Sequence, residues 1–98
     1  MGNVSVQFAG IQNEATILTL DGLLSKNGIR VLDLERIDKS YGSSIKYFHD
    51  EDKALAEQVL KIASGAIPSS SGLSQPKLEP VKGLENKVRL HYVEVWLH

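Results

Sequence analysis

The chain has 98 residues, of which 12 are acidic and 11 basic, for a formal net charge of −1, and 42% are hydrophobic. That length suits one domain over residues 1–98 with a modest core, and the balanced charge excludes a global pull toward nucleic acid or acidic lipid. With no cysteine there are no disulfides, thiol catalysis or cysteine-held metals, and no apolar run reaches the length of a membrane span.

Val4, Val6 and Phe8 alternate with Ser5 and Gln7, the period of a half-buried strand. Ala9-Gly10 ends it. Asn13 is placed to cap a helix over Glu14 to Lys26, whose core stripe is Ile17, Leu20 and Leu24, and Asn27-Gly28 is a strong helix stop. Arg30 to Ile37 reads as a second strand, with Leu32 and Leu34 on one face and Val31, Asp33 and Glu35 on the other. Its charges suit an edge strand. Asp38 to Ser44 is a loop into a third strand, Ser44 to Phe48, in which Ile45 and Tyr47 share one face and Lys46 and Phe48 the other.

The run His49-Asp50-Glu51-Asp52 follows. Asp50 is the expected N-cap, and its acidic neighbours complement the positive end of a helix dipole. Leu55, Val59, Ile62 and Ala66, with Ala56 and Ala63 beside them, then form one apolar helical stripe ending near Gly65. Capping accounts for this acidic cluster without a metal.

Residues 67–86 change character. Pro68, Ser69-Ser70-Ser71-Gly72, Pro76, Pro80 and Gly83 make a turn-rich stretch. A structureless connection of this length is unusual in a compact domain. It is expected to be a long flexible loop, or to carry a short extended piece around Leu78 to Val81, with a flap over the sheet as its functional reading. Val88 to Leu97 is dense in β-formers. Val93, Val95 and Leu97 form one face and Tyr92, Glu94 and Trp96 the other; Val88 and Leu90 are out of phase with them, which a bulge near His91-Tyr92 would restore.

The resulting order, β-α-β-β-α-β, predicts an α+β ferredoxin-like plait: a four-stranded antiparallel sheet with both helices on one face. The first and third strands would be central. The helices would cover Val4, Val6, Phe8, Ile45, Tyr47, Val93 and Val95, leaving the opposite face open.

The Val4-x-Val6 strand ending at Gly10, the helix closing on Asn27-Gly28 and the run IKYFHDEDKALAEQV together resemble the C-terminal domain of LytR-type cell-wall proteins. More loosely, they are similar to the SPOR domain, another small β-α-β repeat. The likeness covers about residues 4 to 65. Where the LytR-type pattern has an Asn-Gly-Ser/Thr-Gly turn, this chain has Gln7-Phe8-Ala9-Gly10. SPOR domains bind bare peptidoglycan glycan strands on their sheet, so the resemblance implies a bacterial cell-envelope setting and a glycan ligand.

Catalytic patterns do not emerge. His49, His91 and His98 lack metal-ligand spacing, Ser69-Ser70-Ser71 lacks a nucleophile elbow, and Ala9-Gly10 falls short of a phosphate loop. The expectation is a domain that is not an enzyme and needs no cofactor or metal. The open face offers a binding site instead: Gln7, Lys46, Phe48, Tyr92, Glu94 and Trp96 combine flat aromatic rings with polar neighbours. Two readings stay open. One is a non-catalytic module binding glycan on that face. The other is a protein-interaction or homo-oligomerisation domain using the same face, or strand addition at the Arg30–Ile37 or Val88–Leu97 edge. Nucleic acid is disfavoured by the charge balance.

Overall fold

The computed structural model describes residues 2–37 and 42–98. Strand β1 (Asn3–Phe8) leads through a 3-10 turn at Ile11–Asn13 into helix α1 (Glu14–Lys26), then strands β2 (Arg30–Arg36) and β3 (Ser44–Tyr47). A second 3-10 turn at Asp50–Asp52 opens helix α2 (Lys53–Ala66), followed by a turn at Ser69–Ser71 and strands β4 (Lys77–Pro80) and β5 (Tyr92–Leu97). Most of the loop expected over Asp38 to Ser44 lies outside the described residues.

The sheet is five-stranded and mixed, in the order β2-β1-β5-β3-β4. This corrects the ferredoxin-like plait. In a plait, each helix carries the chain past one intervening strand, and neighbouring strands in the sheet end up antiparallel. Here α1 joins β1 to its immediate parallel neighbour β2, and α2 joins β3 to its immediate parallel neighbour β4. The two β-α-β units run in opposite directions. β5 fills the gap between them, parallel to β1 and antiparallel to β3. The physical cause is the additional strand within residues 67–86. Once Leu78 and its neighbours complete a second β-α-β unit, the last strand has two free edges to pair with and takes the centre.

Pro80 sits at the end of β4, on the outer edge, where a missing N–H breaks no central ladder. The sheet hydrogen bonding continues one residue on, from Val81 N–H to Tyr47 O at 2.8 Å.

The core lies between the helices and one sheet face. Val4, Val6, Ile45, Val93 and Val95 are fully buried, with Phe8, Tyr47 and Leu97 beside them. α1 contributes Ile17, Leu20 and Leu24. In α2 the innermost residues are Ala56, Val59 and Ala63, while Leu55, Ile62 and Ala66 pack at the margin. α1 ends as its sequence demands: the Asn27 side-chain amide donates to Leu23 O at 2.7 Å, and Gly28 adopts φ 76°, a left-handed conformation that only glycine takes freely.

Three local expectations change. Neither Asn13 nor Asp50 caps its helix: the Asn13 amide donates to Ala9 O at 2.9 Å, and Asp50 binds Lys82 across the surface. A bulge in β2 opposite Val4 and Ser5 breaks its alternation, so Val31 and Leu34 pair with the inward Val4 and Val6 while Leu32 is exposed. The phase break before β5 is a corner rather than a bulge, made by His91 at φ 63°.

Candidate functional site

The sheet face away from the helices is built by cross-strand register. One transverse row reads Asp33, Ser5, Glu94, Lys46, Glu79 across β2, β1, β5, β3 and β4; the next reads Glu35, Gln7, Trp96, Ser44, Lys77. Tyr92 stands opposite Asn3 at the start of β5.

Glu94 is the centre of this face. Its two carboxylate oxygens are divided between flanking residues of its own strand: Tyr92 O–H donates to one at 3.0 Å and Trp96 Nε1–H to the other at 3.1 Å. Residues two apart on a strand lie on one face, so the alternation that buries Val93 and Val95 also delivers both donors to Glu94. Lys46, opposite Glu94 on β3, places its ammonium 4.7 Å from the Trp96 ring centroid and 3.9 Å from the Glu79 carboxylate. Burial, reinforced by the Glu94 charge, pushes the Tyr92 phenol up to about 12, so it stays a hydrogen-bond donor through the neutral range.

All six residues named from the sequence belong to this region, but they are not equivalent. Tyr92, Glu94, Trp96 and Lys46 form one contacting cluster. Phe48 is 5% exposed and packs its ring against Tyr92 with centroids 6.1 Å apart, so it braces Tyr92 and offers no free platform. Gln7 lies beside Trp96 in register, and its Oε1 is buried with no hydrogen-bond partner among the described residues.

The segment from Val81 to His91, called the strap below, runs from the end of β4 to the start of β5 and stands against part of this face. With Asp33 and Leu32 of β2, Ser5 of β1 and Tyr92 and Glu94 of β5, the strap residues Lys87, Val88 and Arg89 enclose an open groove of about 520 Å³. Arg89 reaches within 5.9 Å of the Tyr92 ring centroid. The groove therefore has an aromatic and hydroxyl floor, carboxylates from Asp33 and Glu94, and cations from Lys87 and Arg89. Sequence reasoning missed Leu32, Asp33, Lys87, Val88 and Arg89. The signal for Asp33 is a bulge that no local pattern announces, and the strap residues lie just before the corner that opens β5.

Among the described residues there is no group of three or more histidine or acidic side chains placed to hold a metal ion, and no helix long and apolar enough to cross a membrane. Comparisons with protein-family models, with curated proteins and with solved structures each find no match.

Proposed function

We propose that this domain is a non-catalytic binding module that holds a hydroxyl-rich ligand of the cell-envelope glycan type on its open sheet face. The observation that carries this reading is the groove between β2, β5 and the strap. Sugars present hydroxyl groups that exchange hydrogen bonds with carboxylates and guanidinium groups, and C–H faces that rest on aromatic rings. Asp33, Ser5, Arg89 and Tyr92 supply those partners around one groove. Trp96, whose ring already carries the Lys46 ammonium, is a flank of this site and not its platform.

The test is co-sedimentation with purified peptidoglycan, together with amide chemical-shift mapping during titration with chito-oligosaccharides. Binding with shifts centred on Ser5, Asp33, Arg89 and Tyr92 supports the reading. Retention of the protein in the supernatant, with no shifts at millimolar oligosaccharide, overturns it.

One feature favours a second reading, pairing with a second copy of the chain. A hollow of about 240 Å³ between α1 and the edge strand β2 is lined by Phe8, Ile17, Leu18 and Leu34, with Glu14 and Arg36 completing it, and Leu18 is 62% exposed. Apolar surface beside an open sheet edge suits strand addition. The Val88–Leu97 edge is no longer available for this, because β5 is paired on both sides. A dimer in analytical ultracentrifugation that Leu18→Glu returns to monomer supports self-association; a monomer at every concentration overturns it.

A further inference from the structure

We propose that Asp52 is the positioning residue of the groove: its buried carboxylate fastens the strap to the start of α2 and fixes the corner from which Tyr92 and Arg89 enter the site. This rests on the groove reading for its ligand consequence, but the clasp itself stands on geometry. Asp52 is only 2% exposed, and although it occupies the position that starts α2 it makes no side-chain capping bond there. Its carboxylate instead reaches a residue 39 positions away. One oxygen accepts the His91 backbone N–H at 2.9 Å, and the other lies 3.7 Å from His91 Nδ1.

His91 is the point that needs holding. Among the described residues it alone, glycines apart, has a positive φ, at 63°, a conformation unfavourable for an L residue unless its surroundings impose it. Its carbonyl is fixed as well, accepting Asn3 N–H at 2.8 Å. A carboxylate on one side and β1 on the other thus impose the corner. Two further contacts join the strap to the same stretch of chain: His49 Nε2 donates to Val88 O, and Lys82 pairs with Asp50. The run His49-Asp50-Glu51-Asp52 thereby acts as a clasp for the groove wall, and not as a helix cap. Val88 and Arg89, which line the groove, lie between two of its fastenings.

The experiment compares Asp52→Ala and Asp52→Asn with the parent by amide hydrogen exchange and by chito-oligosaccharide titration. In Asp52→Ala, exchange at His91 and through the strap should accelerate by about tenfold or more as the corner opens locally. The amides of α2 should keep their protection. Asp52→Asn retains an acceptor oxygen and should restore most of the protection, and it serves as the folded variant should the alanine form not fold. Loss of protection in the first turn of α2, with His91 and the strap unaffected, would show Asp52 to be an ordinary cap and overturn the proposal. Oligosaccharide affinity should fall in step with strap opening. Strap opening in a protein that binds no oligosaccharide overturns the glycan reading and leaves the clasp standing; unchanged affinity with an open strap overturns the positioning role.

Discussion

Removing the Glu94 carboxylate tests whether the open face is a built cluster or a set of unrelated surface side chains. In the structure each Glu94 oxygen accepts one donor, Tyr92 O–H at 3.0 Å and Trp96 Nε1–H at 3.1 Å, in a half-buried setting. Hydrogen bonds to a charged acceptor contribute about 1.5–3 kcal/mol when buried, and partial exposure brings each toward about 1–1.5 kcal/mol. Glu94→Ala loses both and leaves two donors half-buried, so it should destabilise by about 2–3 kcal/mol. Glu94→Gln keeps one acceptor oxygen and presents an N–H₂ to the other donor, so about 1–1.5 kcal/mol should be lost. Urea unfolding followed by the single tryptophan reads both variants directly. In thermal melts Glu94→Ala should lower Tm by about 10–20 °C, given about 4–8 °C per kcal/mol for a domain of this size. A Glu94→Ala midpoint matching the parent would refute the reasoning, as would equal losses in the two variants.

Tyr92 supplies the pH prediction. Burial and then the Glu94 charge raise its folded pKa from 10.0 to about 12, so folding favours the protonated phenol. That stabilisation is fully present below pH 10 and is lost as pH rises from about 10 through about 12. Spectrophotometric titration should show a tyrosine transition near pH 12, and Glu94→Gln should bring it down; the absence of any such late transition would contradict the placement of Tyr92. Hydrogen exchange tests the sheet order. Since β5 pairs with both β1 and β3, its amides from Val93 to Leu97 should be among the slowest to exchange, and those of β2 and β4 faster. Alternating fast amides along β5 would restore an edge position and refute the topology.

The inward and outward faces of most strands were legible because alternation is a local property. Val4, Val6, Phe8, Ile45, Tyr47, Val93 and Val95 are all buried as the pattern requires, and the limits of α1 follow from its stripe and its Asn27-Gly28 stop. Neighbour relations were not legible, because a period of two says which way a side chain points and nothing about which strand lies beside it. The decisive piece was four residues long: the sequence offers an extended piece around Leu78 to Val81, but nothing in Lys77–Pro80 announces its parallel pairing with β3, which completes the second β-α-β unit.

The acidic run shows the same limit in the site. Capping logic assigns each of Asp50, Glu51 and Asp52 to the nearest helix, since every one stands within reach of unsatisfied N–H groups. In the structure, the partners of Asp50 and Asp52 lie 32 and 39 residues away, at Lys82 and His91. The two pairs differ in kind. Asp50 and Lys82 are both solvated, so although the contact holds the Asp50 carboxyl below its ordinary value, its share in stability is small. Asp52 is sealed from solvent and answers a backbone N–H at a strained corner, so its removal takes the partner from a part-buried donor. Of the two aspartates, the one without access to water is therefore the one on which the geometry of the groove depends.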